Sequence, residues 1–242
     1  MLYNSVDQNI LYDHKWHKLL KRSSLFRYFP FIDFVLVAGS MALGDVHENS
    51  DFDVIVGTKY GRLYTARFFC LATYKILRWR RKVISVDQRL VGVDPRLEGF
   101  CFNHFVTEKT YCLRPPYNLY WQELYSNLVP ILGNEANINK FFISNIGLRK
   151  GLKFGESEIG EDLRFRHKNF SRLKTLLEKL LSGKFGDWTE ETIKKYQHKK
   201  IEQSFKKFPP GYKPRLIYDD KEVELHLDTR RLETIKNKKY VN

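Results

Sequence analysis

Long apolar runs are missing from this chain. The longest, such as Phe34 to Ala38 and Phe68 to Ala72, fall far short of the ~20 residues that a membrane-spanning helix needs, so no span is expected. Cysteine is scarce: Cys70, Cys101 and Cys112 are odd in number and never form a CxxC pair, which argues against a disulfide framework. The histidines make no cluster with cysteine at ligand spacing, so no structural zinc site is expected. Residues 1–22 carry Asp7, Asp13, Lys15, Lys18, Lys21 and Arg22 without an apolar core. No secretory signal is expected, and the cytoplasm is the expected compartment. Internal repeats and low-complexity tracts are also lacking.

What is present suits a folded body. Hydrophobic residues make up 43% of the 242 and aromatic residues 15%, enough apolar surface to offset chain entropy without staples. Lys and Arg total 42 against 28 Asp and Glu, a net charge of +14, so polyanions are expected partners. The excess is not a detachable tail: residues 1–150 hold 20 basic and 13 acidic residues, and residues 151–242 hold 22 and 15. Local concentrations occur at Arg78 to Lys82, Lys194 to Lys200 and Lys206-Lys207.

Apolar periodicity lays out the elements. Leu11, Trp16, Leu19 and Leu20 mark an early helix that must end before Pro30. Phe34 to Ala38, closed by Gly39, is a buried strand, and Asp51 to Gly57 is a second. Leu63, Ala66, Phe69, Cys70 and Leu77 predict a helix from Arg62 to about Trp79. Lys82 to Asp87 reads as a short strand and Gly99 to Thr107 as a stronger one. After Pro115-Pro116 the spacing of Leu119, Trp121, Leu124, Tyr125, Leu128, Val129 and Leu132 predicts a helix, followed by others at Ile138 to Ile146, Leu163 to Leu181 and Ile193 to Phe205. Leu216 to Tyr218 and Glu222 to Leu227 predict a small hairpin, and a basic segment runs from Asp228. The expectation is an α+β chain: a mixed sheet flanked by helices over 1–115, then a mainly helical module with a hairpin over 116–242.

One constellation carries chemistry. Val35 to Ala38 leads into Gly39-Ser40; ten residues later Asp51-Phe52-Asp53 opens the second strand. The two-residue strand period puts Asp51 and Asp53 on one face, about 7 Å apart along the chain, where they can share one or two Mg²⁺ ions. Gly39 lets a phosphate approach the backbone, and Ser40 offers a hydroxyl near the start of a helix. A lone Asp-x-Asp is commonplace; the ordered combination is more specific.

Over residues 33 to 57 that combination resembles the polymerase-beta-type nucleotidyltransferase superfamily, whose pattern is an apolar strand, Gly-Ser or Gly-Gly, and a carboxylate pair on the next strand. The resemblance implies a nucleotidyltransferase-type mixed sheet and transfer of a nucleoside monophosphate from an NTP, with release of pyrophosphate. It implies that Asp51 and Asp53 bind the metals and that Gly39 and Ser40 hold the β- and γ-phosphates. Arg62, at a helix start, is a candidate triphosphate contact. The superfamily's third carboxylate is missing from the expected strand, where Asn103 takes the inward position; Asn103 can coordinate a metal but cannot act as a base. Asp87, Asp94 and Glu98 are alternatives for that ligand. The charge favours RNA, such as a tRNA 3′ end, as acceptor. Two other classes remain: a catalytically inactive nucleotide- or RNA-binding module of the same fold, and, ranked last, a glycosyltransferase using Asp51-Phe52-Asp53.

Overall fold

The computed structural model describes residues 5–80, 98–115, 119–148, 164–165, 169–206 and 215–226. Its helices are α1 (Ser5–Ser23), α2 (Gly39–Leu43), α3 (Leu63–Ile76), α4 (Leu119–Ser126), α5 (Glu135–Ser144), α6 (Arg172–Leu180) and α7 (Gly183–Phe205). Its strands are β1 (Ile32–Val37), β2 (Phe52–Thr58), β3 (Phe100–Thr107), β4 (Val129–Gly133), β5 (Arg215–Tyr218) and β6 (Glu222–His226). The strand expected at Lys82 to Asp87 and the basic segment from Asp228 lie outside the described residues, as do Asp87 and Asp94.

The six strands form one mixed sheet in the order β4-β1-β2-β3-β6-β5. Only β2 and β3 run parallel; the other neighbours are antiparallel. Helices cover both faces, which is why β1 reads as an unbroken apolar run rather than an alternating one. Val35 and Val37 of β1 and Val54 and Val56 of β2 join Trp16, Leu19, Leu63, Ala66 and Tyr74 from α1 and α3 on one face. Phe34, Leu36 and Ile55 join Trp121, Leu124, Tyr125, Ile138 and Phe141 from α4 and α5 on the other. The first core is rich in rings: Tyr74 lies 4.7 Å from Phe100 and 5.2 Å from Phe26 between ring centres. Each such side chain removed from water contributes about 1.5–3 kcal/mol.

One sequence expectation is corrected. The helix expected from Leu119 to Leu132 stops at Ser126, and Val129–Gly133 is β4, paired with β1. Pro130 is the reason: it lacks the N–H that a helix interior needs and suits the sheet edge that β4 occupies. The expected hairpin forms as β5–β6, and β6 pairs with β3, so it extends the same sheet. Strands from both sides of residue 115 therefore share one hydrogen-bonded layer.

The long helix α7 packs beside α3 through polar groups. Glu190 accepts from the backbone N–H groups of Tyr64 and Thr65, both at 2.8 Å, and so caps α3 from another element. Arg67 is buried; its guanidinium donates to Gln197 and faces the Phe105 ring. Its role is structural.

Candidate functional site

Antiparallel pairing of β1 with β2 brings the end of one strand beside the start of the other, with Val37 opposite Val54. Beyond that pair the Ala38 N–H donates to the Asp53 carbonyl at 2.9 Å. Gly39 follows with φ +62°, a backbone conformation that side-chain-bearing residues rarely adopt. A Cβ placed on Gly39 would lie 2.2 Å from Asp53 Oδ2. Glycine is thus required twice over, by its backbone angle and by the carboxylate packed against it. Ser40 is half-buried in the first turn of α2.

Phe52 and Val54 turn into the core, which leaves Asp51 and Asp53 half-buried on the other face. The parallel register sets Cys101 of β3 directly beside Asp53. A carboxylate oxygen from each aspartate and the Cys101 sulfur all lie within 4.8 Å of one another. The two acids thus converge, together with a third group that the sequence reading did not include. A bulge accounts for Asn103: Asp53 pairs with Cys101 and Ile55 with His104, so Phe102 and Asn103 of β3 together face Val54.

The turn leading into Asp51 is pinned from α1. Lys15 is 1% exposed, and its ammonium donates to the carbonyls of Glu48 at 2.8 Å and Ser50 at 2.9 Å. It also faces Glu98 at 3.2 Å, and Lys18 bonds the same carboxylate. Burial alone would raise the Glu98 carboxyl, but the two lysines outweigh it and hold it below its ordinary value. Glu98 is therefore committed to α1. Gln8 adds a hydrogen bond to the Val46 carbonyl at 2.6 Å.

Arg62 is not brought to this site. It lies beyond the C-terminal end of β2, while the aspartates lie at its start, and about 17 Å of strand intervenes. There it pairs with Asp187 at 2.6 Å and covers the Phe31 ring. The basic run contributes a different cation: Arg80 bridges to Phe100, and its guanidinium, lowered by burial, is partly restored by interaction with Cys101. In the second basic cluster Lys194 is neutralised by Asp220 at 2.5 Å, whereas Lys195, Lys199 and Lys200 are exposed. His104 is buried against Glu222, and Trp121 and Tyr125 are core residues, as their spacing indicated.

A concavity lies at the opposite end of β2, lined by Asp33, Lys59, Tyr60, Glu108, Tyr111, Asn137 and Lys140. Burial pushes the Asp33 carboxyl up to about 6, against the opposing pull of Lys174 and Lys59. A raised folded value means that ionisation at neutral pH costs stability, and the cost disappears as pH falls from about 6 toward the unfolded value near 4. The full shift corresponds to about 3 kcal/mol, reduced by residual solvent contact to about 1–2 kcal/mol. Asp33→Asn is expected to stabilise the protein by that amount at pH 8 and by nothing at pH 4, as read by urea denaturation at both values. Equal effects at the two pH values would contradict the assignment.

Comparisons of the chain with protein-family models, with curated proteins and with solved structures give no match.

Proposed function

We propose that this protein is a divalent-metal-dependent nucleotidyltransferase that moves a nucleoside monophosphate from an NTP to an acceptor and releases pyrophosphate. The observation that supports it is the packing of the Gly39 backbone against Asp53, with Asp51 converging on the same point. The donors present suit the group: paired carboxylates with open space for phosphate oxygens and water are what Mg²⁺ takes. Asp51 and Asp53 would hold the ions, with Asn103 as the oxygen donor offered by β3, since the Cys101 sulfur does not suit Mg²⁺. A bound metal would polarise the α-phosphate and neutralise charge on the departing pyrophosphate. The chain's own part is positional. The turn at Gly39, with the Ser40 hydroxyl, would receive the β- and γ-phosphates, and the acceptor oxygen would attack phosphorus in line with the bond to pyrophosphate. Arg62 has no part in this arrangement.

RNA is the proposed acceptor class. A net charge of +14, Arg80 beside Cys101, and exposed Lys195, Lys199 and Lys200 favour a polyanion over a cationic small molecule.

A second reading has an observation of its own. Cys101 stands beside Asp53 where a third acid would take the acceptor's proton, which favours a catalytically silent nucleotide- or RNA-binding module. Incubation with each α-labelled NTP, Mg²⁺ or Mn²⁺, and total cellular RNA separates the two. Transfer of label to RNA is expected, and it should fall about 10³-fold in Asp51→Asn/Asp53→Asn, the equivalent of several kcal/mol of lost charge stabilisation. Label that persists in the double variant would refute the site. No label on any acceptor, combined with protection of the fold by ATP and Mg²⁺ against heat, would favour the silent module.

A further inference from the structure

A second cluster of metal-ligating side chains lies on β3 and β6, beside the aspartate pair in the sheet but made of other residues and unused by the proposed reaction. His104 of β3 pairs directly with Glu224 of β6, and His226 lies two residues further along the same strand. Both strand rules apply: residues i and i+2 share a face, and directly opposed residues of an antiparallel pair share it too. One ligand atom from each of the three side chains falls within 4.8 Å of the others.

Within the cluster a carboxylate oxygen and an imidazole nitrogen face each other. Glu224 is fully buried; its Oε2 accepts from Arg215 Nε at 2.8 Å, but its Oε1 has no hydrogen-bond partner among the described residues. His226 Nε2 is likewise buried without one, although the two atoms are only 3.2 Å apart. The 3.2 Å separation matches two donors on one ion: bonds of about 2.0–2.1 Å at a tetrahedral angle give an edge of about 3.3 Å. Glu222 lies 3.3 Å from His104 Nε2, the carboxylate–imidazole contact by which metal-bound histidines are oriented, with the other ring nitrogen left as ligand.

We propose that His104, Glu224 and His226 bind a borderline transition-metal dication of the Zn²⁺ class. Two imidazoles and one carboxylate suit zinc or cobalt and do not suit Mg²⁺. Three protein donors leave a further coordination position for water or another ligand. The His226 side chain is 27% exposed, which gives an ion a route from solvent. Arg114 and Arg215 already balance Glu222 and Glu224, so the ion adds net positive charge. The site is accordingly one of moderate affinity rather than a permanent structural staple.

Co²⁺ titrated into the full-length protein after EDTA treatment and dialysis is the direct test. With Mg²⁺ in excess to occupy the aspartate pair, the expected result is one equivalent of Co²⁺ bound, with the intense visible absorption of a four- or five-coordinate ion. Glu224→Gln and His226→Gln should each weaken binding about 10- to 100-fold or more. Circular dichroism in EDTA establishes that both variants are folded, and His104→Gln serves if either is not. Asp51→Asn/Asp53→Asn should keep the band. Absence of the band in the parent protein would overturn the proposal, as would its survival in both cluster variants or its loss only in the aspartate variant. Zn²⁺ should displace Co²⁺ and abolish the colour, while excess Mg²⁺ should not.

Discussion

Gly39→Ala should unfold or disarm the protein more thoroughly than its size suggests. The added methyl group enters a position with φ +62° and meets Asp53 Oδ2 at 2.2 Å. Backbone strain of this kind costs about 1–3 kcal/mol, and overpacking adds about as much. Relief requires moving either the turn or the carboxylate, and the Ala38 N–H to Asp53 carbonyl hydrogen bond at 2.9 Å ties the two together. A loss of about 2–5 kcal/mol in denaturant unfolding is expected. Any residual folded protein should bind Mn²⁺ at least tenfold more weakly, because Asp53 no longer converges with Asp51. Ala at Gly61 is the control: its φ is +75°, but a Cβ there meets nothing within 4 Å. It should pay only the backbone cost and leave metal binding unchanged. Equal metal affinity in the two variants would mean that the close approach at Gly39 is irrelevant to the site.

Lys15→Met should cost about 2–3 kcal/mol and slacken the approach to Asp51. The ammonium is buried and satisfies the carbonyls of Glu48 and Ser50 together with the Glu98 carboxylate. Removing one partner of a buried charged cluster ordinarily costs about 3–5 kcal/mol, but Lys18 remains on Glu98 and lowers the figure. Methionine fills the same volume, so the loss reports the hydrogen bonds rather than a cavity. Because Glu98 is held below its ordinary value mainly against its own burial by these lysines, their contribution is present at neutral pH and is lost as pH falls below about 4. The difference between parent and variant should therefore shrink in acid. Urea unfolding at pH 7 and pH 3.5, with Mn²⁺ titration at pH 7, checks both parts. A variant as stable as the parent, with unchanged metal affinity, would remove Lys15 from the account.

Much of the central sheet was legible. β1 and β2 are short runs that, after Asp33 and Asp53 at their starts, are apolar without alternation, and their burial on both faces follows from that. Helix α3 and the early helix announced themselves by three- and four-residue steps. β4 did not, because Leu128, Val129 and Leu132 fit a helical stripe begun by α4; only the missing N–H of Pro130 and the edge position of the strand separate the two outcomes. The hairpin was visible as a hairpin, but its partner β3 lies more than a hundred residues away in sequence, and no local signal names it.

The same division runs through the two clusters. Asp51 and Asp53 share a face because strands alternate, and that is written in their spacing alone, as is the need for a residue without Cβ at Gly39. Cys101 meets them, and His104 meets Glu224 and His226, only through strand order, a bulge and a register. Alternation is a property of one segment's backbone. Adjacency between distant segments is decided by how the apolar faces of α1, α3, α4 and α5 close over the sheet, a collective packing choice that no short stretch of sequence contains.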